Sequence, residues 1–140
     1  KPVIRHVILT YRTEHTGANN TASIIELANF LHEEGKGVVI VLQAPILPRD
    51  VSVALRHAFD TGAVDVPGLR RSEWDGMNRD IHTAIANLDP AIQVFDPTSY
   101  FCDLEYCYAI RDNQALFFDN NHMSIYGARR IAAPLAEMLR

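Results

Sequence analysis

The stretch VVIVLQAP (residues 38–45) is a continuous apolar run in which polar and apolar residues do not alternate. Such a run is typical of a strand buried on both faces of a parallel sheet. A second run of the same kind is VIRHVILTY (3–11). Between them, TASIIELANFLHEE (21–34) repeats apolar residues at helical spacing, with Thr21 as its predicted N-cap. The order strand, helix, strand predicts two parallel strands joined by a crossover.

The rest of the chain continues the alternation. After Pro45, a short helical pattern passes through Val53, Leu55 and Phe59, and residues 60–71 are predicted to form a loop. The remaining predicted elements are a helix at SEWDGMNRDIHTAIANL (72–88) capped by Ser72, a third strand at AIQVFDPTSYF (91–101), a loop containing both cysteines, and a closing helix at HMSIYGARRIAAPLAEMLR (122–140) despite Pro134.

These elements predict an α/β fold with three layers, αβα, around a parallel sheet. No internal repeat or low-complexity linker divides residues 1–140, so we predict a single domain. Three strands make a thin sheet, and we expect the chain to lack part of its sheet. An incomplete sheet exposes an apolar edge, which favours homo-oligomers or domain exchange.

Composition excludes some classes of function. The net charge is −4 and the basic residues are scattered, so the sequence gives no electrostatic reason to bind nucleic acid. No apolar run approaches the roughly 18 residues that a membrane-spanning helix needs. In parallel α/β folds, chemistry collects beyond the carboxyl ends of the strands. The segments there are TYRTEH (10–15), QAPILP (43–48) and DPTSYF (96–101), with DNNH (119–122) later in the chain.

Asp119 and His122 are the strongest candidates for catalysis. A carboxylate that accepts the Nδ1 proton of a histidine fixes its tautomer and leaves Nε2 to take a proton from a hydroxyl. The alternative is structural: Asp119 caps a turn and His122 caps the last helix.

The same residues carry a resemblance to a known family. ALFFDNNHMSIYGARRIAAPLAEML (115–139) resembles the closing block of the SGNH hydrolase superfamily, in which Asp-x-x-His supplies the acid and base for an upstream serine. The form with His-hydrophobic-Ser and then Gly-Ala is most similar to the SGNH domains of membrane acyltransferase-3 proteins, which O-acetylate surface polysaccharides. Those domains also carry a Cys pair and a short hairpin before the motif, as in YFCDLEYCYAIRDNQALFFDNNHMS (100–124).

The resemblance implies a flavodoxin-like SGNH fold, with His122 as the general base and Asp119 as its orienting acid. The Gly-Asp-Ser turn that carries the family's nucleophile does not occur in these 140 residues, so the resemblance places the serine in a missing amino-terminal half. The family's oxyanion asparagine would fall at TYRTEH, where Arg12 is either a substitute donor or an ion-pair partner. Within the chain, Ser99 is a weaker candidate nucleophile, and Ser124 is expected to cap the last helix.

Cys102 and Cys107 lack a cluster of further metal ligands, and we expect a local disulfide between them. Closing so small a loop contributes only about 2 kcal/mol. A disulfide agrees with the periplasmic or other extracytoplasmic location, within an inner-membrane protein, that the resemblance implies. Two reduced thiols in a cytosolic protein are the alternative.

No metal or cofactor is assigned, because the other histidines lack partners at ligand spacing. Trp74 is expected in the core, with sugar stacking as the alternative, and residues 56–76 are interpreted as a wall of the substrate site. The leading hypothesis is transfer of an acyl group, most simply acetyl, from a donor to hydroxyls of a cell-surface polysaccharide, with a membrane acyltransferase domain as partner. The alternatives are a carbohydrate acetyl esterase and a non-catalytic domain that binds carbohydrate or a partner protein.

Overall fold

The computed structural model describes residues 3–12 and 18–140, with side chains described from Thr21 onward in the second range. Two compact units divide the chain: Lys1–Gln43, Met77–Asp96 and Leu135–Arg140 form the first, and Ala44–Gly76 and Pro97–Pro134 the second. The elements are β1 (His6–Thr10), α1 (Ala18–Glu33), β2 (Gly37–Val41), α2 (Val51–Thr61), β3 (Val66–Arg70), α3 (Arg71–Met77), α4 (Arg79–Ile85), β4 (Gln93–Phe95), α5 (Thr98–Phe101), β5 (Tyr106–Arg111), β6 (Gln114–Ala115) and α6 (Ile125–Glu137).

The first unit contains the predicted parallel sheet. Its strand order is β1–β2–β4, and both pairings are parallel. The central strand β2 buries residues on both faces, as its continuous apolar sequence predicts. The strand β1 lies at the edge, and Ile8 is exposed there. The core combines residues of α1, β2 and α4 with the segments that flank β2 and β4: Ile24, Ala28, Val38, Ile40, Leu42, Ile81 and Ile92.

Two predicted helix starts in the chain are wrong. The helix α1 begins at Ala18, so Thr21 is buried inside it and is not its N-cap. Residues 72–88 form two helices, and Ser72 lies inside α3, which begins at Arg71. The apolar repeat concealed this break, because Trp74 packs in the core of the second unit and Ile81 in the core of the first.

The second unit contains an antiparallel sheet that the sequence did not predict. Its order is β3–β5–β6, so neither residues 60–71 nor the Cys-containing segment is simply a loop. Pro67 and Gly68 obscured β3, but an edge strand tolerates proline, and the pairing register shifts on both sides of Pro67. The tight turn between β5 and β6 is made by Asp112 and Asn113, both with positive φ, which is the geometry of a type I′ hairpin.

Trp74 and the disulfide form the core of this second unit. The Trp74 side chain is 1% exposed, and its Nε1 donates to Thr98 Oγ1 at 3.0 Å. Burial confirms core packing and rules out stacking of Trp74 on a sugar. Cys102 and Cys107 form the expected disulfide, which joins the end of α5 to β5. It therefore fixes the hairpin that precedes Asp119.

The start of α6 is built around Ser124 and Gly127. Ser124 Oγ accepts from the Gly127 amide at 3.1 Å and donates to the Ala115 carbonyl, so Ser124 caps the helix as predicted. The helix also accommodates Pro134, as predicted. A Cβ at Gly127 would overlap the carbonyl oxygen of Leu116. The approach of α6 to the hairpin therefore depends on the missing side chain.

We predict that Gly127→Ala lowers the free energy of unfolding by about 1–3 kcal/mol, because backbone rather than a flexible side chain blocks the new methyl group. Gly76→Ala is the matched control. Gly76 is also helical, and a Cβ there meets nothing within 4 Å, so this change is expected to be neutral or to stabilise by up to about 1 kcal/mol. Urea unfolding of both variants tests the prediction, and equal effects would contradict it.

Candidate active site

A short loop between β6 and α6 carries Asp119 and His122. The loop closes on itself: the Phe118 amide donates to the His122 carbonyl at 2.7 Å, and the Ser124 amide donates to the Leu116 carbonyl at 3.0 Å. Phe117, just before the loop, is buried and forms an isolated bridge with Met123. The loop is thus anchored at both ends.

Both oxygens of the Asp119 carboxylate are occupied. Oδ1 accepts the backbone amides of Asn121 and His122, each at 2.8 Å, and Oδ2 lies 2.7 Å from Nδ1 of His122. These bonds, the His122 amide first, hold the pKa of the Asp119 carboxyl well below its usual value of 3.8. Asp119 is therefore ionised at neutral pH.

The ionised carboxylate fixes the tautomer of His122. A carboxylate only accepts hydrogen bonds, so Nδ1 must carry the proton that it donates to Oδ2. In a neutral ring, Nε2 is then the unprotonated nitrogen. The His122 side chain is 74% exposed and that of Asp119 is 32% exposed. The arrangement can take a proton at Nε2 while Asp119 stabilises the resulting charge.

The structural alternative describes half of this geometry. Asp119 does cap a turn, through Oδ1, but the same carboxylate orients the imidazole through Oδ2. His122 does not cap α6, because Ser124 accepts the Gly127 amide.

The segment before α2 lies against this loop. The Leu47 amide donates to the Asn120 carbonyl at 2.7 Å. Asp50 caps α2 by accepting the Ser52 amide at 2.9 Å. Hydrogen bonds from Ser52, its hydroxyl first and then its amide, lower the pKa of Asp50, while desolvation and the negative charge of Asp119 oppose this shift. The predicted segment QAPILP (43–48) therefore contacts the loop through Leu47. The acceptance of this hydrogen bond by the Asn120 carbonyl could not be predicted from the sequence.

The other predicted residues are distributed over both units. Arg12 is exposed beyond the end of β1 in the first unit, whereas Thr13 to His15 of TYRTEH lie outside the described residues. Ser99 is exposed on α5 in the second unit. It lines a cavity of about 100 Å³ together with Arg111 and Arg130.

Tyr11 and Asp96 follow β1 and β4, two strands of the parallel sheet in the first unit. Burial, together with the charge of Asp96, raises the pKa of Tyr11. The Tyr11 hydroxyl is buried and has no hydrogen-bond partner among the described residues. The charge of Asp96, just after β4, therefore acts on the residue just after β1.

Within residues 3–12 and 18–140, no three His, Cys, Asp or Glu side chains are grouped to hold a metal ion. None of the helices described there has both the length and the apolar character to cross a membrane.

Asp119→Asn is predicted to change the tautomer of His122. The single amide oxygen would stay with the two backbone amides, and the NH₂ group would then face Nδ1, which favours the tautomer protonated at Nε2. Nitrogen-15 NMR of the imidazole distinguishes the two forms. The His32 ring, 3.9 Å from Asp89, should be unaffected. An unchanged His122 spectrum would contradict the prediction.

Acid should weaken the loop only at low pH. The folded-state pKa of Asp119 lies below the unfolded value of 3.8, so its bonds contribute stability fully above about pH 4, and this contribution is lost as the pH falls through the lowered pKa. Amide exchange of Asn121 and His122 in an acid titration measures this loss. In Asp119→Asn the protection factors of these two amides should no longer fall in acid. The Glu105 and Tyr106 amides, held in the same way by Asp103, should keep their acid dependence.

Comparison with known proteins places this chain in a family. A family model described as an SGNH domain fused to AT3 domains matches residues 1–137. No curated protein matches the chain. A solved structure, the periplasmic domain of the lipopolysaccharide acetyltransferase of Salmonella ser. Paratyphi A, is similar in fold, with a TM-score of 0.61 and 14% sequence identity. The similarity covers 94% of this chain and 57% of that one. The chain belongs to the family of SGNH domains that are fused to AT3 domains.

Proposed function

We propose that Asp119 and His122 are the acid and base of an acyl-transfer site whose nucleophilic serine lies outside these 140 residues. The observation that carries the proposal is the contact of 2.7 Å between Asp119 Oδ2 and His122 Nδ1, with Oδ1 held by two backbone amides. Membership of the SGNH family supports acyl transfer as the class of reaction.

The reaction proceeds in two transfers. His122 Nε2 takes the proton of the serine hydroxyl while Oγ attacks the carbonyl carbon of the donor, and the donor's leaving group departs with the proton from His122. In the second transfer, Nε2 takes the proton of an acceptor hydroxyl, the acceptor oxygen bonds to the acyl carbon, and the serine oxygen regains its proton. Asp119 stays ionised throughout and stabilises the imidazolium in both steps. The resemblance leaves Arg12, in the first unit, as either a donor to the oxyanion or an ion-pair partner.

The acceptor is proposed to be a hydroxyl of a cell-surface polysaccharide, and the simplest acyl group is acetyl. The similar fold of a lipopolysaccharide acetyltransferase periplasmic domain supports this substrate class. The family's fusion to AT3 domains supports a membrane acyltransferase domain as the partner that supplies the acyl group. The disulfide fits an oxidising, extracytoplasmic compartment such as the periplasm.

One observation favours hydrolysis as a second candidate. The His122 side chain is largely exposed, so water has access to Nε2 and can replace the sugar hydroxyl as acceptor. The same residues would then act as a carbohydrate acetyl esterase. Release of free acetate, measured with and without an acceptor polysaccharide, separates hydrolysis from transfer.

We predict that a fluorophosphonate probe leaves the mass of the isolated 140-residue chain unchanged. Ser124 Oγ is engaged with Ala115 and Gly127, and Ser99 lies on α5 without the glycine-flanked turn of an activated nucleophile. Intact-mass spectrometry measures the labelling. A gain of one probe mass on Ser99 or Ser124 would refute a serine supplied from outside.

In a complete acyl-transfer assay that includes the polypeptide carrying the serine, His122→Ala should lower the rate by on the order of 10⁴-fold or more, because triad members act as a unit. His32→Ala is the matched control, since His32 also lies beside an aspartate, at 3.9 Å, on the surface of the first unit. A transfer rate that falls equally in both variants would contradict the role of His122.

A further inference from the structure

A cavity of about 410 Å³ lies in the second unit beside the loop of Asp119 and His122. We call it the α2 pocket, because α2 forms one wall and the segment before α2 another, with β3 and β5 completing it. Its volume is within the range of small-molecule sites, about 300–1,000 Å³. Its apolar lining comes from Leu47, Val53, Ala54, Val66, Pro67 and Ala109.

Few polar side chains line the α2 pocket. These are Arg49, Asp50 and His57, all exposed to solvent, and the Asp50 carboxylate also accepts the Ser52 amide as the cap of α2. Gly68 also lines the pocket, and a Cβ there would overlap Leu47 Cδ2, so the lack of a side chain lets Leu47 pack against β3. The result is an apolar surface with hydrogen-bond donors on its outer part.

This lining distinguishes between possible ligands. A sugar ring carries hydroxyls around its edge, and most of them would be left unpaired against aliphatic atoms, which is costly. No Phe, Tyr or Trp of the described residues lines the pocket to stack on such a ring. An aliphatic chain with one carbonyl group matches both the apolar wall and the donors at the rim.

The pocket is connected to the catalytic candidates by direct contact. Leu47 lines it, and the Leu47 amide donates to the carbonyl of Asn120, which lies between Asp119 and His122. Asp50, also in the lining, is close enough to Asp119 to feel its charge. One residue of the pocket wall, Leu47, therefore contacts the loop that holds the base.

We propose that the α2 pocket binds the aliphatic part of the transferred acyl group, and that the site accepts, besides acetyl, longer acyl groups of about four to eight carbons. The inference rests on the proposed acyl-transfer function and names its substrate class. An acetyl group offers a single methyl carbon to this apolar wall and would leave most of the cavity to water. A longer chain displaces that water and buries its methylene groups.

The first test uses the unsubstituted chain and a series of neutral esters from methyl acetate to methyl hexanoate. Each added methylene should raise affinity about fourfold, so methyl hexanoate should bind on the order of 10²-fold more tightly than methyl acetate. Amide shifts in NMR titrations give the affinities, and those of β3 and α2 should move. Affinity independent of chain length, or shifts confined to other elements, would overturn the proposal.

The second test compares Val53→Trp with Leu55→Trp. Both residues lie on α2 and are about half exposed, at 47% and 46%, but only Val53 lines the pocket. Val53→Trp should weaken methyl hexanoate binding at least tenfold, whereas Leu55→Trp should leave it unchanged. Equal effects of the two variants would overturn the proposal, whichever their size.

These binding tests are independent of turnover. His122→Ala should bind methyl hexanoate as the unsubstituted chain does, because His122 is not in the lining. If the proposed function is wrong, acyl transfer will persist in His122→Ala. A failed pocket assignment would appear as loss of the chain-length dependence while the requirement for His122 remains.

Discussion

The carboxylate of Asp119 accepts three hydrogen bonds from groups within three residues of it, and the candidate site depends on them. Two of the bonds shape the backbone of the loop, and the third orients the ring of His122. Because one group does both, the fold of the loop and the tautomer of the base are not independent. Each of the three donors also favours the ionised form of Asp119, so the arrangement maintains the charge on which it depends.

Several neighbouring contacts keep this loop in place. Ser124 links the first turn of α6 to the end of β6, and Gly127 allows α6 to lie against the Leu116 carbonyl. The disulfide and the tight turn at Asp112 and Asn113 fix the hairpin from which the loop emerges. None of these groups touches the Asp–His pair, yet a shift of the hairpin or of α6 would move both ends of its loop.

The elements predicted well from sequence are those with a single strong pattern. The continuous apolar runs predicted β1 and β2, and the repeat from Ile125 to Leu135 predicted α6 despite Pro134. Of the third predicted strand, residues 91–101, only Gln93–Phe95 is a strand, and Thr98–Phe101 forms α5. The missed elements have conflicting local signals. In β3, Pro67 and Gly68 read as loop residues, and only the pairing with β5 makes them a strand. The hairpin at Asp112 and Asn113 agrees with the short hairpin before the motif that the resemblance implies, whereas the pairing of β5 with β3 was not predicted.

The candidate site also has a part that the sequence predicts and a part that it does not. Asp119 and His122 are close in sequence and belong to a known motif, so the sequence predicts their pairing. Leu47 is more than 70 positions from the motif, and its contact with Asn120 is between backbone groups, which carry no side-chain signature. The α2 pocket could not be predicted from the sequence either, because its lining residues come together only when β3 pairs with β5.

Because His122 is exposed, the proposed acyl transfer requires that water be kept from the acyl group. An exposed base accepts a proton from water as readily as from a sugar, so transfer requires an acceptor that excludes water from the acyl group. An acyl chain buried in an apolar pocket shields its own methylene groups but leaves the carbonyl carbon at the rim. The acceptor or the polypeptide that brings the serine must then shield the carbonyl carbon from water. Under the proposed function, the site completed by the serine acts as an esterase when the acyl carbonyl is open to water and as a transferase when an acceptor shields it.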